Sequence, residues 1–360
     1  MAYTVMEAYD VLGLNARNAV EQYQITAADK EPFLGKALFP SVYRDEIKLM
    51  YMKGSKSVPI TLKRSDYDIP AEYRTRGTFN TLEMSSPLFK ESYQIDESLN
   101  AKLIEIASSG VMSYVDLINR IFDDVNNLID GANAAAEKMI MSLLTTGKIY
   151  AFVNKTSSEY TYDYEIDSSH TDTLLTTARW NQTSTATPVT DIEGWQQIIT
   201  DDGYIKPTRA ICNSTTHAWL SKIDSIKSDM AYLRASSYTP VITTPMVDSY
   251  FISKLGLSIA TYDKVYKTSV DGSSTKFIPD GYFILIPEGT LGNLVYGPAP
   301  AMADAMALKA NNVNYAVLDS GIVVRSYVPD PALIQKNMEV SCLMLPQPTK
   351  LDSVFMAKVF

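Results

Sequence analysis

Residues 111–147 read VMSYVDLINRIFDDVNNLIDGANAAAEKMIMSLLTTG, and Lys148 follows. Tyr114, Leu117, Ile121, Val125, Leu128, Ala132, Ala135, Met139 and Leu143 recur in steps of three or four, the spacing of one apolar face on an α-helix. No proline interrupts the run. Gly147 can take the left-handed conformation that ends helices, and Lys148 puts a cation at the negative end of the helix dipole. The spacing predicts a single helix over 111–146, a rod of about 50 Å at about 1.5 Å per residue. Asp116, Asn119, Arg120, Asp123, Asp124, Asn126, Asn127, Asp130, Asn133, Glu137 and Lys138 fall between the apolar positions. They make a polar face expected to meet water or a partner. The helix reads as a spine.

Upstream of the spine, Val58–Leu62 and Phe79–Met84 alternate in the manner of strands, and the residues between them carry Asp66, Asp68, Pro70 and Gly77 with few aliphatics. This predicts a long hairpin with a polar tip. Lys56, Lys63, Arg64, Arg74 and Arg76 outweigh Asp66, Asp68 and Glu72 there, so the segment is basic within an acidic chain. Three readings fit it: a solvated loop, a nucleic-acid arm, or an arm that docks on protein. Docking is preferred, because nucleic-acid arms carry more positive charge with interleaved aromatics, and because the spine offers acidic residues. Residues 1–53 read as an arm with short helices at 5–12 and 17–23 and the apolar run Phe33–Pro40, in which Phe33, Leu38 and Phe39 must be buried against another surface. Tyr43–Lys53 reads as an extended strand.

Between hairpin and spine, Asp96 or Ser98 can cap a short helix over 99–107. Downstream, 148–154 and 159–166 alternate around a polar turn as a second hairpin, with Tyr160, Tyr162 and Tyr164 on one face. Asp167–Pro188 is rich in Ser and Thr and reads as a mobile connection. From Asp191 the pattern is α/β: helices at 192–200, 215–223 and 245–255, and strands at 209–212, 257–262, 282–287 and 294–296. The chain ends in strands at 321–328, 338–345 and 354–360, punctuated by Pro329, Pro331, Pro346 and Pro348. No internal repeat is present.

At 360 residues and 46% hydrophobic content the chain can bury real cores. A formal net charge of -9 argues against broad adhesion to nucleic acid. Cys212 and Cys342 form no metal-ligand spacing and suggest a reducing compartment. No apolar run approaches the roughly 18 residues of a membrane span, and the first residues lack a signal-peptide core. His170 and His217 stand far from any Cys or acidic cluster at ligand spacing, so neither a metal nor a cofactor is expected. No phosphate loop, dinucleotide fingerprint or nucleophile elbow occurs. Asp123–Asp124 is adjacent on a helix, where neighbours diverge, so the pair reads as a solvated face. The expectation is a non-enzyme.

The order of parts, together with Leu38-Phe39-Pro40 before Glu46-Ile47, Val58-Pro59-Ile60, Leu143–Lys148, Arg179-Trp180-Asn181 before Asp191-Ile192 and Trp195, and Pro329-Asp330-Pro331 before Leu345-Pro346, resembles the Hong Kong 97 fold of tailed-bacteriophage major capsid proteins. Within that fold it is similar to the lambda major capsid protein E family. The resemblance implies an α+β fold with an N-terminal arm (1–53), an extended hairpin loop (54–90), a peripheral domain with the spine helix (91–166 and 318–360) and an axial α/β domain (167–317). It implies a subunit that assembles with itself into hexamers and pentamers of an icosahedral virion capsid. That shell would enclose double-stranded DNA without binding it tightly, and the chain would be made in the bacterial cytoplasm and have no membrane contact. The partners implied are a separate scaffolding protein, a portal and a decoration protein. Lys56, Lys63, Arg64, Arg74 and Arg76 would reach a neighbour, and Asp116, Asp123, Asp124, Asp130 and Glu137 would receive them on its spine. Some family members cross-link a hairpin Lys to a neighbouring Asn, for which Lys56 or Lys63 stands at the matching place; lambda-type relatives do without the bond. Competing readings are an encapsulin-like compartment subunit, another virion structural protein such as a tail component, and an acid/base hydrolase using carboxylates of the α/β unit.

Overall fold

The computed structural model describes residues 16–27, 30–53, 80–95, 97–98, 101, 113–152, 159–233, 242–269, 271–302, 313–318, 321–327 and 336–360. The described chain opens with helices α1 (Ala16–Ala27) and α2 (Leu34–Leu38) and strands β1 (Ser41–Tyr43), β2 (Lys48–Lys53), β3 (Asn80–Ser85) and β4 (Leu88–Ile95). The long helix α3 runs Ser113–Thr146 and leads directly into β5 (Lys148–Phe152) and β6 (Glu159–Asp163). Next come β7 (Thr171–Thr173), α4 (Pro188–Asp201), β8 (Arg209–Cys212), α5 (Ser214–Leu220), α6 (Asp224–Leu233), α7 (Thr244–Leu255), β9 (Ser258–Thr261), and the short pair β10 (Val265–Tyr266) and β11 (Thr275–Lys276). Strands β12 (Tyr282–Ile286), β13 (Gly292–Gly297), β14 (Val313–Leu318), β15 (Ile322–Tyr327), β16 (Lys336–Pro348) and β17 (Phe355–Lys358) complete the order. The architecture is mixed helix and sheet. The expected helices at 5–12 and 99–107, the strand at 58–62 and the hairpin tip lie largely or wholly outside the described residues.

Two compact units emerge. Met1–Leu49, Ser85–Lys138 and Asn293–Gln347 form one; Met50–Met84, Met139–Gly292 and Pro348–Phe360 form the other. The first holds a sheet ordered β1-β13-β16-β15-β14, with β4 also paired to β16. Its β1–β13 pairing is parallel, from Ser41↔Leu294 to Tyr43↔Tyr296. Helix α1 buries Ala16, Ala19, Val20 and Tyr23 and packs on β14 and β15. Strand β16 runs on through Pro346 to Pro348 where punctuation was expected; its pairing with β4 ends at Leu343↔Leu88, so neither proline nitrogen is required to donate to β4.

The second unit holds a sheet ordered β7-β17-β12-β8-β9. Here the sequence reading is corrected. The Ser/Thr-rich segment 167–188 is not a loose connection: it carries β7, paired in parallel with β17, and Trp180, which is fully buried. The Trp180 ring meets Trp195 at 5.9 Å and Phe283 at 4.9 Å, and Trp195 stacks on Phe355 at 5.3 Å. These aromatics sit in the core packed between the sheet and its helices. Of the residues there that carried the resemblance, Trp180, Ile192 and Trp195 are core-formers, whereas Arg179 is exposed. Strand β13, expected beside the α/β elements, pairs in the first sheet, whereas the terminal strand β17 lies in the second. Helix α6 was not anticipated.

Helix α3 forms as its spacing predicts, and it ends at Gly147, whose φ of 71° and N–H bond to the Leu143 carbonyl at 2.9 Å close the last turn. A side chain at Gly147 would also meet Ile166, 2.7 Å from its Cδ1. Lys148 opens β5 and pairs with Asp163 at 2.7 Å. Gly131 sits exposed in mid-helix, with nothing within 4 Å of an added Cβ. Gly131→Ala is therefore expected to raise stability by about 0.5–1 kcal/mol by reducing the entropy lost on folding, read as a higher denaturation midpoint with unchanged slope.

Candidate functional site

The candidate site is a set of surfaces rather than a pocket, and it begins on the spine. Val125, Leu128, Ala132, Met139 and Leu143 are buried as their spacing requires, but so are Ile129, Ala136, Ile140 and Leu144. More telling are the polar positions: Asn126 is 5%, Asn133 3% and Glu137 1% exposed. The stripe expected to face water or a neighbour is covered over part of its length by the chain's own N-terminal arm. Tyr23 donates its hydroxyl proton to Asp130 Oδ1 at 3.0 Å and accepts from Asn133 Nδ2 at 2.8 Å. Lys30 pairs with the other Asp130 oxygen. The Gly35 N–H donates to Glu137 Oε2 at 2.8 Å, which satisfies a first-turn amide of α2 with a carboxylate.

This corrects the acceptor face. Asp130 and Glu137 are engaged within the chain: the buried Glu137 carboxylate must be hydrogen-bonded and the arm supplies a donor, while the half-buried Asp130 takes Tyr23 and Lys30 of the same arm. Asp123 remains exposed and Asp124 half-buried; Asp116 lies within α3. Of the arm residues, Leu38 and Phe39 are buried at 3% and 0% and Phe33 is half-buried, so the apolar run docks on its own subunit. Strand β1 then continues into the first sheet.

A prediction arises here. Glu137→Ala leaves the buried Gly35 N–H without its acceptor, a loss of about 1–3 kcal/mol, whereas Glu137→Gln keeps an acceptor oxygen. Limited trypsin digestion should cut at Lys30 or Lys36 markedly faster in Glu137→Ala than in wild type or Glu137→Gln; equal rates would show that the arm is held by other contacts.

The basic hairpin is described at its base. Strands β2 and β3 pair, and the Ser86 N–H donates to the Ile47 carbonyl at 3.0 Å. Lys56, Lys63, Arg64, Arg74 and Arg76 lie outside the described residues. Both histidines are buried and each is tied through Nε2 to an aspartate, His170 to Asp202 at 3.1 Å and His217 to Asp248 at 2.8 Å. His170 joins the segment before β7 to the end of α4, and His217 joins α5 to α7. These are clasps between elements. Burial pushes the thiols of Cys212 and Cys342 up to about 12, which leaves them protonated and unreactive at neutral pH. Among the described residues no group of three or more His, Cys, Asp and Glu is placed to hold a metal ion, and no helix is long and apolar enough to cross a membrane.

One cluster escaped the sequence reading. Glu339 on β16, 1% exposed, takes both arms of Arg325 at 2.9 and 3.0 Å, the Tyr327 hydroxyl at 3.3 Å and Lys90 at 3.3 Å. The Arg325 guanidinium also lies 4.6 Å from the Tyr327 ring centre. Arg325 faces Glu339 in register, so the network joins β15, β16 and β4 by charge as well as by backbone. The signal available in sequence was Arg325 in β15 and Glu339 in β16, which become a pair only once register is known.

A model of the family described as phage major capsid protein E matches residues 23–359. The chain belongs to the phage major capsid protein E family. It is a structural subunit of a phage capsid. The fold agrees: the putative capsid protein of a prophage of E. coli CFT073 superposes with a TM-score of 0.57 at 13% identity over 96% of this chain and 99% of that one. A phage-related protein of Bordetella bronchiseptica RB50 gives 0.53 at 13% identity over 94% and 96%. No curated protein matches by sequence. At 13% identity the likeness of the capsid protein E subunit to these two structures is one of fold.

Proposed function

We propose that this subunit assembles with its own copies into hexamers and pentamers that close an icosahedral shell around the double-stranded DNA of a tailed phage. Residues 54–90 extend over a neighbouring subunit; 91–166 with 318–360, less the terminal strand β17 that pairs in the second sheet, serve as the peripheral domain; and 167–317, less β13 that pairs in the first, serve as the axial domain meeting its copies at capsomer centres. A separate scaffolding protein, a portal and decoration proteins complete the particle. The observation that carries this reading is the family match over nearly the whole chain. Two physical features support it. A basic stretch at 56–76 in an acidic chain, with few aliphatics to build a core of its own, suits a segment that a neighbour covers. A net charge of -9 suits a wall that must not adhere to packed DNA.

The test is electron microscopy of the purified protein, alone and with its scaffolding partner, across a range of salt. Capsomers or closed shells are expected; a discrete, folded monomer under every condition would overturn the proposal. Nuclease-protected DNA in particles from infected cells, and no protein cargo, separates a virion shell from an enzyme-filled compartment.

A further inference from the structure

Asp130, Asp202, Asp271 and Asp280 each precede a glycine. In such a pair the aspartyl carboxyl is open to attack by the next residue's backbone nitrogen, since glycine has no Cβ to stand in the way. Attack needs a carboxyl that can swing onto that nitrogen and a backbone free to bring the two together. Folding withholds both at three of these places. Asp130 lies inside α3, where helical geometry fixes the backbone, and its two oxygens are taken by Tyr23 and Lys30. Asp202 caps the end of α4 in helical conformation, with φ -76° and ψ 0°. Its carboxylate is tied to His170 at 3.1 Å, and the Gly203 N–H donates to the Thr200 carbonyl at 3.0 Å. Asp280 accepts from Asn213 and from Lys276, the latter at 2.8 Å, while the Gly281 N–H donates to Thr216 Oγ1 at 3.0 Å. The Lys276 bond also holds the Asp280 carboxyl below its ordinary range, so it stays ionised and parts with an oxygen poorly. Asp271 differs. It is exposed, and among the described residues its carboxylate has no hydrogen-bond or ion-pair partner. The Gly272 N–H closes a turn onto the Ser269 carbonyl at 3.1 Å, in a loop carried by the two residue pairs of β10 and β11, Val265↔Lys276 and Tyr266↔Thr275. A ladder that short opens readily.

We propose that Asp271–Gly272 is a modification site, at which Asp271 converts spontaneously to isoaspartate. The Gly272 nitrogen adds to Asp271 Cγ. An N–C bond forms, a carboxyl C–O bond breaks, and the hydroxyl leaves as water with the amide proton. The product is a five-membered succinimide, which water then opens. Opening at Cγ restores aspartate. Opening at the main-chain carbonyl carbon routes the backbone through the side chain and leaves the former main-chain carboxylate as the side group. One water leaves and one returns, so mass is unchanged and no further reactant is required. The backbone of the β10–β11 loop gains one methylene, and in a shell whose subunits are not replaced after assembly the change accumulates with age.

Ageing the folded protein for weeks in warm, mildly acidic buffer, followed by trypsin digestion, tests the site. Isoaspartate is read as methyl groups accepted from S-adenosylmethionine through protein isoaspartate methyltransferase, assigned peptide by peptide; peptide 268–276 holds Asp271 and no other aspartate. Acceptance severalfold greater there than in the peptides holding Asp130, Asp202 and Asp280 is expected, and equal or lower acceptance overturns the proposal. Protein aged in guanidinium should lose this bias; a bias that survives unfolding counts against selection of the site by the fold. As a second measurement, Asp271→Glu keeps the charge at an exposed position but would have to close a six-membered ring, which forms far less readily. Its circular dichroism should match wild type while acceptance in 268–276 falls to background, and acceptance at the wild-type level overturns the assignment to Asp271.

Discussion

Trp180→Ala is expected to unfold the second unit at temperatures where wild type is native. A fully buried Trp removed from a core costs about 3–5 kcal/mol, comparable to a large part of the net stability of a domain. Here the loss extends beyond the cavity. The Trp180 indole N–H donates to Asp191 Oδ2 at 2.9 Å, and the Trp195 indole donates to Asp172 at 3.0 Å, so each tryptophan fills the core and holds a carboxylate at its rim. Burial raises the Asp191 carboxyl above its ordinary value, and the indole pulls it back down. Trp180→Phe should keep most of the packing and expose this electrostatic part. Without the indole, Asp191 rises further, so the variant's deficit is smallest at pH values below the ordinary carboxylate range, where the group is protonated folded and unfolded. The deficit grows as pH increases through the folded value. Denaturant melts of Trp180→Phe and wild type near pH 3 and pH 7 check the sign; a deficit independent of pH would mean that the indole bond to Asp191 contributes little.

Reversal of charge at Arg64, Arg74 and Arg76 to Glu is the second large effect, and it falls on assembly rather than on folding. The hairpin turns from basic to acidic and would then meet acidic residues of a neighbour. Like charges facing across an interface cost several kcal/mol, and each 1.4 kcal/mol is about tenfold in an association constant. Particles should therefore be lost almost completely, with the subunit's circular dichroism and melting temperature retained. Because Asp130 and Glu137 are engaged by the arm, the proposed acceptor narrows to Asp116, Asp123 and Asp124. Asp123→Lys combined with the triple reversal should recover part of the particle yield. Normal assembly of the triple variant would remove the hairpin from the set of charged contacts.

Local rules were sufficient for many elements whose partners are near in sequence, though α6, β14 and the short pair β10–β11 escaped them. Helix α3, the β5–β6 hairpin, the strand β8, the helix α7 with Gly256 after it and the strand β12 can all be read from apolar spacing and from the glycines and prolines that bound them, because period and turn chemistry act over a few residues. The whole-chain order of parts pointed to a capsid subunit for the same reason. What tertiary structure decided was which polar residues are surface. Asn133 and Glu137 look like part of a solvated stripe until an arm about 100 residues earlier in the chain lays Tyr23 and Gly35 across them; hydrogen bonds over that distance leave no periodic trace. The Ser/Thr-rich 167–188 looked like a linker because composition averages over a segment, whereas one Trp180 inserted among Trp195 and Phe283 makes it part of the core. Sheet membership was equally hidden: β13 and β17 have similar apolar patterns, and only long-range pairing sends one to each sheet. Sequence by itself determined the spine and the family; folding determined which part of the spine stays exposed, because burial depends on what returns to cover a surface.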